Sequence, residues 1–244
     1  MWKYIPEYNA GYIFFAYNKE EQRSYMSLKQ KYKSYFTDKS FQHSTESGIV
    51  LLILSLILNW HASLYAAMMA SNPVTDIVLN NVRVYDLTDI FVYGPIFFFA
   101  FVLFLAIKEP NKIPFTLKAM ALFIIVRSVF VSLTHIGPFA TQMSIGEGMI
   151  RNFTSGDDLF FSGHTGLPFL MALVFWRVLY LRIIFIFTSI LFGVVVLLGH
   201  VHYTIDVFSA FFITYTIYHV AEVFFKKERK FFYQTEGPGT EPLL

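Results

Sequence analysis

Six long apolar runs alternate with polar loops along most of the chain. A helix needs about 20 apolar residues to cross the roughly 30 Å hydrocarbon core of a bilayer, and each run is of that order. The pattern therefore predicts an all-α fold, a polytopic membrane bundle of six transmembrane helices in one domain. The predicted spans are Gly48–Ala70, Ile90–Ile107, Ala119–Ala140, Phe161–Tyr180, Ile183–Val201 and Val207–Phe225.

The two ends of the chain carry no such run. Residues 1–47 mix charged residues with many tyrosines, and we expect a cytoplasmic arm that is either amphipathic and membrane-peripheral or simply solvated. Because the first run begins only after this arm, we interpret it as a span rather than as a cleavable leader. Residues 48–225 form the predicted six-helix domain. Residues 226–244 begin with basic residues and contain Gly and Pro, which predicts a mostly disordered cytoplasmic tail.

The composition narrows the classes of protein that fit. With 55% hydrophobic and 19% aromatic residues and a mean hydropathy of +0.51, the chain is too apolar for an ordinary soluble domain. The absence of cysteine excludes disulfides, thiolate catalysis and cysteine-ligated metals. The net charge of +2 is small, and we expect no nucleic-acid partner. Homo-oligomerisation stays open.

Lysine and arginine are distributed unevenly between the span ends. Thirteen of these basic residues are distributed over three regions: residues 28–47, the second and fourth loops, and the segment after Phe225. The other loops carry only Arg83 and Arg151. Basic residues accumulate on the cytoplasmic side of membrane proteins. The count therefore predicts a multi-pass integral membrane protein with both termini in the cytoplasm and loops one, three and five on the extracytoplasmic face.

Two histidine stretches lie where apolar runs begin or end, and both fall on that extracytoplasmic face. They are Phe161–Thr165 and Gly199–Asp206. Titratable groups beside membrane spans are costly unless they serve a protein-enclosed site. If a helical turn begins after Val201, His202 and Asp206 share one face. The carboxylate can then accept the Nδ1 proton of the imidazole and leave the other nitrogen free to attack, which is the arrangement a histidine nucleophile requires.

His164 follows Ser162 and Gly163 at the predicted start of the fourth span. Backbone N–H groups and the helix dipole favour a phosphate at such a start, and Gly163 lets the backbone approach a ligand closely. His164 would act as a general acid toward a leaving alkoxide. Together the two stretches indicate phosphoryl chemistry at one site.

A rival interpretation takes the same polar residues as metal ligands. His164, His200, His202 and Asp206 are ligand types that suit zinc or non-haem iron. The histidine-rich clusters of membrane di-iron enzymes are missing from the sequence, so we expect no metal and no other cofactor.

Arg127 lies near the middle of the third predicted span. It either contacts a phosphate or carboxylate from inside the bundle or forms a structural ion pair with a buried acid such as Glu222. A non-catalytic alternative makes the protein a transporter, in which Arg127, His61, His219 and Glu222 form a polar path through the membrane.

These motifs resemble those of a known family. Gly156-Asp-Asp-Leu-Phe-Phe-Ser-Gly-His-Thr165 is similar to the G-D-Y-L-F-S-G-H-T stretch of sphingomyelin synthases, and His202-Tyr-Thr-Ile-Asp-Val207 matches their H-Y-T-I-D-V. Two weaker similarities are also present. Pro73–Asp76 is similar to the family's P-L-P-D, and the segment from Arg127 through Thr134 to Pro138 is similar to the family's third-span motif. The resemblance implies a six-span bundle of the type-2 phosphatidic acid phosphatase superfamily, with a His-His-Asp triad facing the lumen or periplasm.

Roles follow from this resemblance. It implies that His202 is the nucleophile, that Asp206 orients it and that His164 is the acid/base, which makes residues 48–225 the catalytic domain. The loop motif has one extra residue, so Asp158 rather than Asp157 keeps the spacing to His164. The residues that we assign to substrate binding are Ser162, Gly163, Asp158, Arg127, Asp76, His200 and Tyr203.

The phosphatase branch of the superfamily carries Lys-x6-Arg-Pro and Ser-Arg-x5-His, and this chain has neither. The position six residues before His202 is Val196. A phosphodiester carries about one negative charge against about 1.5 to 2 for a phosphate monoester, so it needs fewer cationic partners. The outer loops are rich in acids, which suits a cationic head group. These acids are Asp76, Asp86, Asp89, Glu147, Asp157 and Asp158.

We therefore predict a lipid head-group phosphotransferase with two membrane lipids as its partners. A glycerophospholipid donates a phosphocholine or phosphoethanolamine type group, and a lipid alcohol such as ceramide accepts it, through a phosphohistidine intermediate. The alternative is a membrane lipid phosphate phosphatase or a phospholipase C-like hydrolase.

Overall fold

A computed structural model describes residues 27–143 and 159–233 of the chain. All regular structure in these residues is helical, which confirms the all-α fold class. The helices are α1 (Leu28–Phe36), α2 (Lys39–Met69), α3 (Thr88–Lys108), a 3-10 turn (Pro110–Lys112), α4 (Ile113–Leu133), α5 (Gly163–Val174), α6 (Leu179–Leu198), α7 (Thr204–Phe224) and α8 (Lys226–Tyr233).

Five segments of the described chain are long and apolar enough to cross a membrane: α2, α3, α4 with its preceding 3-10 turn, α6 and α7. The helix in the fourth predicted span, Phe161–Tyr180, is shorter than we expected. It has 12 residues, or about 18 Å at roughly 1.5 Å per residue, and a turn follows it at Phe175. The structure supports a multi-pass membrane protein, and the count of six spans stays a prediction.

Several helix ends differ from the hydropathy boundaries. α2 begins at Lys39 rather than Gly48, because the Asp38 carboxylate accepts a hydrogen bond from Ser40 N (2.8 Å) and caps the helix. α4 begins six residues before the predicted span and ends at Leu133 rather than Ala140. The basic residues after Phe225 begin α8, and residues 234–244 of the predicted tail lie outside the described residues.

The bundle is built around α5. Leu170, Met171 and Ala172 of this helix are completely buried, and they belong to a core shared with residues of α3, α4, α6 and α7. α2 packs against α4 through the small side chains of Ala62 and Ala66. The outward faces of α2, α3, α6 and α7 expose many large apolar side chains, as expected for surfaces that contact lipid.

One end of the bundle, which we call the basic end, is formed by α1, the 3-10 turn and α8. Ion pairs fasten α8 there: Arg229 Nη2 lies 3.0 Å from Glu222 Oε1, and Lys118 Nζ lies 2.6 Å from Glu228 Oε1. The interpretation of Glu222 as the partner of Arg127 is therefore not supported. Glu222 pairs with Arg229, a residue that hydropathy places outside the membrane.

Candidate active site

The N-termini of α5 and α7 meet at the other end of the bundle, which we call the site end. Ser162 N donates a hydrogen bond to Asp206 O (3.1 Å), so the two helix starts are directly joined. Ser162 Oγ accepts from Thr165 N (3.4 Å) and caps α5. His164 lies in the first turn of α5, and His202 lies just before α7. This junction brings together two stretches that are about forty positions apart in the chain.

His202 and Asp206 form a buried pair. The distance from His202 Nδ1 to Asp206 Oδ2 is 3.5 Å, and the exposed fractions are 4% and 0%. Oδ2 also accepts a hydrogen bond from Tyr203 N (2.9 Å). The carboxylate therefore places its negative charge beside Nδ1, although Nδ1 makes no hydrogen bond to the described residues.

Both histidines line one cavity of about 270 Å³. Its polar wall includes His164, Gly163, Arg127 and His202, and its remaining lining is largely apolar. The apolar lining is contributed mainly by Leu56 of α2, Phe91, Pro95, Phe98 and Phe99 of α3, Phe123 and Ile124 of α4, Leu167 and Pro168 of α5, and Phe192 of α6. The His164 ring stacks on Phe91, with 4.3 Å between ring centroids and 22° between planes. The cavity therefore has room for a polar group beside a hydrocarbon segment.

Arg127 lies under the start of α5, against the polar wall. Its Nε donates to Phe161 O (3.0 Å), and its Nη1 donates to Asn59 Oδ1 (3.2 Å). A Cβ at Gly163 would lie only 3.3 Å from Nε, so the glycine lets the guanidinium approach the helix backbone closely. Among the described lining residues Arg127 is the one Lys or Arg, and its charge adds to the helix dipole to favour an anion.

Asp76 and Tyr203, which we assigned to substrate binding, lie outside the cavity lining. Asp76 accepts hydrogen bonds from Thr204 N (2.7 Å) and Thr204 Oγ1 (2.8 Å), and it thereby fastens the loop after α2 to the start of α7. Burial raises the pKa of Asp76, but the hydrogen bonds donated to it outweigh burial and hold the pKa below its ordinary value. Tyr203 Oη donates to Gly137 O (2.9 Å) and accepts from Val74 N (3.1 Å). The contacts of both side chains are structural.

His200 also lies outside the cavity lining. Its backbone has a φ of 55°, and its Nδ1 is 2.6 Å from Thr141 Oγ1. The ring packs edge-on against Phe139. In the described residues no group of three His, Cys, Asp or Glu side chains is placed to hold a metal ion. Asp158, with Glu147 and Asp157 of the same loop, lies outside the described residues.

Two cavity residues were not predicted from the sequence. Asn59 lies in the first predicted span, and its side chain contacts Arg127. Phe91, which supports the His164 ring, was one of many phenylalanines in the second span. Neither role has a local sequence signal, because each depends on which helix packs beside the site.

The structure is that of an apolar helical bundle in which two histidines and an aspartate lie near the joined starts of two helices. Residues 156–223 match the family model for the C-terminal region of the PAP2 superfamily. The match spans both histidine stretches and supports the type-2 phosphatidic acid phosphatase superfamily, which suggests a lipid phosphatase or phosphotransferase. No curated protein and no solved structure gives a significant match to the chain.

Proposed function

We propose that this protein is a sphingomyelin synthase-like phosphotransferase. It moves a phosphocholine or phosphoethanolamine type group from a glycerophospholipid to a lipid alcohol such as ceramide. The observation that supports it best is the buried His202–Asp206 pair, at 3.5 Å, on the wall of a cavity that also contains His164. This pair supplies an oriented nucleophile, and His164 supplies a second proton-carrying group.

In the first step, Nε2 of His202 attacks the phosphorus of the donor phosphodiester. A P–N bond forms, the P–O bond to diacylglycerol breaks, and His164 gives its proton to the leaving alkoxide. Asp206 stabilises the positive charge that develops on the His202 ring. The partial positive charge at the start of α5 and the guanidinium of Arg127 stabilise the phosphoryl oxygens.

In the second step, the lipid alcohol attacks the phosphorus held on His202. His164, now neutral, takes the proton of the hydroxyl group, the P–O bond to the acceptor forms and the P–N bond breaks. The covalent intermediate divides one difficult exchange into two smaller barriers. His164 returns to its protonated state, so the cycle closes without a further reactant.

The charges around the cavity favour a phosphodiester over a phosphate monoester. Of the described lining residues only Arg127 carries a permanent positive charge, which suits about one negative charge better than the 1.5 to 2 of a monoester. The apolar lining suits a lipid acceptor, since it offers few polar partners for water. A hydrolase would use the same first step and let water take the place of the alcohol.

The first prediction concerns the covalent intermediate. Purified protein incubated briefly with donor phospholipid labelled with ³²P should acquire protein-bound label that is lost in acid and kept in base, as expected for phosphohistidine. His202→Ala should remove the label and lower product formation by about a thousandfold or more, because the nucleophile is gone. His61→Gln is the matched control, since His61 is exposed on the surface of α2, and it should behave as the wild type.

Product analysis separates the two activities. Labelled phosphatidylcholine or phosphatidylethanolamine with ceramide should give the labelled sphingolipid and diacylglycerol. Water-soluble phosphocholine or phosphoethanolamine as the main product, with ceramide present, would indicate a phospholipase C-like hydrolase. Turnover by His202→Ala at the wild-type rate would contradict the role of His202 as the nucleophile in either activity.

A further inference from the structure

Asn59 is a polar residue within a largely apolar stretch of α2. It lies on α2 beside the cavity, and it lines the cavity together with Arg127, His164 and His202. A carboxamide at membrane depth is costly unless its donors and acceptors are satisfied. The Asn59 side chain therefore needs hydrogen-bond partners, and these partners indicate its role.

The orientation of the Asn59 carboxamide is fixed by chemistry. A guanidinium has only donors, so the atom that faces Arg127 Nη1 at 3.2 Å must be the oxygen, Oδ1. Ser128 Oγ also lies 3.5 Å from Oδ1. The NH₂ group of Asn59 consequently points away from Arg127, and it donates to none of the described residues. A pair of N–H donors is left on the cavity wall.

We propose that Nδ2 of Asn59 binds the lipid substrate by donating a hydrogen bond to an oxygen of its phosphate group. The inference rests on the proposed function, because it names a contact within that site. Arg127 joins Asn59 to the α5 start on one wall, since its Nη1 contacts Asn59 and its Nε lies against Gly163. A donor beside a guanidinium and a helix N-terminus faces the region where an anionic oxygen is best stabilised.

A purely structural role for Asn59 makes a different prediction. If the residue only braces Arg127, an aspartate at this position should serve as well or better, because it keeps both the shape and the oxygen acceptor. If Asn59 donates to the substrate, the aspartate should fail, because an ionised carboxylate has no donor. Leucine has a similar size and neither function, so it should fail under both roles.

The test compares Asn59→Asp, Asn59→Leu and Ser128→Ala in the full-length protein. Ser128→Ala removes the other group near Oδ1 and leaves the NH₂ group untouched, so it should keep wild-type behaviour. With phosphatidylethanolamine as donor, Asn59→Asp and Asn59→Leu should each raise KM about tenfold or more, the usual size for a hydrogen bond to a charged group. Thermal unfolding of Asn59→Asp in detergent should match the wild type.

Three patterns would overturn the inference. A wild-type KM in Asn59→Asp with a loss in Asn59→Leu assigns Asn59 to bracing alone. A loss in Asn59→Asp with none in Asn59→Leu assigns the effect to charge repulsion. Wild-type behaviour in both variants shows that the donor is not used.

A binding measurement keeps this test separate from the proposed function. In a His202→Ala background, which cannot turn over, fluorescence polarisation of phosphatidylethanolamine labelled on its acyl chain reports affinity directly. Asn59→Asp should weaken this binding about tenfold or more. If the wild type shows no product and no protein-bound label, the proposed transferase fails. The binding comparison then still decides whether Asn59 contacts the phospholipid.

Discussion

The carboxylate of Asp206 contacts both the start of α7 and His202. Its side chain is completely buried, and Oδ2 is shared between Tyr203 N and His202 Nδ1. The first contact holds the start of α7, and the second places a negative charge beside the imidazole. In the proposed mechanism, one oxygen therefore links the local fold to the chemistry of His202.

Asp206→Asn tests this link with almost no change in shape. The Asn oxygen can keep both the hydrogen bond from Tyr203 N and the contact with His202 Nδ1, because Oδ2 makes both of them. The variant loses the negative charge that stabilises the positively charged imidazole in the proposed mechanism. We expect kcat to fall by roughly 10²–10⁴-fold, with the Tm within a few degrees of the wild type. A rate within tenfold of the wild type would show that His202 needs no carboxylate partner.

Residue types and spacing predicted part of this site. The i, i+4 spacing of His202 and Asp206 and the glycine before His164 both have local geometric meaning, and the structure brings these residues together. The same types at Asp76, His200 and Tyr203 have other contacts, because their neighbours are loops that come from elsewhere in the chain. The sequence does not state which loop will pack against which polar side chain.

At the scale of elements, α5 is shorter than the fourth span that hydropathy predicts. Ser162 fixes its beginning, and the chain turns after Val174. The helix is enclosed by α4, α6 and α7 and need not reach across the bilayer by itself, because protein rather than lipid surrounds it. Hydropathy measures apolar content over about 20 residues, so it cannot separate a short buried helix and its turn from a complete span.

Asp76 joins two elements, and its loss should be seen in stability rather than in substrate binding. In Asp76→Asn, one of the two carboxylate oxygens is replaced by an NH₂ group. In either orientation this group faces other hydrogen-bond donors, which belong to Thr204 or to the backbone of the same loop. We expect a cost of about 1–3 kcal/mol, seen as a Tm lower by several degrees at neutral pH. The KM for the donor lipid should change little, since Asp76 lies outside the cavity lining.

The pH dependence gives a second measurement of the same contact. Because the folded-state pKa of Asp76 lies below the ordinary value of 3.8, its stabilisation is complete above that value and is lost as the pH falls through the lower, folded-state pKa. The Tm difference between the wild type and Asp76→Asn should therefore be constant down to about pH 4 and shrink below it. Asp86→Asn, an exposed carboxylate on the same loop, is the control and should show a much smaller difference at neutral pH. An equal decrease in Tm in both variants would contradict the role of Asp76 in joining the loop to the start of α7.

At the scale of the whole molecule, the two ends of the bundle differ in chemistry. The basic end carries the exposed lysines of α1 and α8, among them Lys33, Lys227 and Lys230, together with the ion pairs of Glu222 and Glu228. The site end carries the joined starts of α5 and α7 and the loop with Arg83. Basic residues favour the cytoplasmic side, so we predict that the site end is extracytoplasmic.

The chain has no cysteine, so single cysteines report their side of the membrane without a background. Asn81→Cys marks the site end, and Lys227→Cys marks the basic end; both positions are exposed. In sealed membranes of known orientation, a membrane-impermeant maleimide should label Asn81→Cys only from the extracytoplasmic side. It should label Lys227→Cys only after the cytoplasmic side is opened.

The pattern of labelling tests two predictions separately: the arrangement of the helices in the bundle, and the orientation of the bundle in the membrane. Labelling of both cysteines from one side would contradict the arrangement of the bundle, because α7 would then not carry the chain from the site end to the basic end. Reversed labelling would keep that arrangement and overturn only the orientation. Lys33→Cys, on a different helix of the basic end, should follow Lys227→Cys in either case, since Tyr35 of α1 and Phe231 of α8 both pack against Phe41.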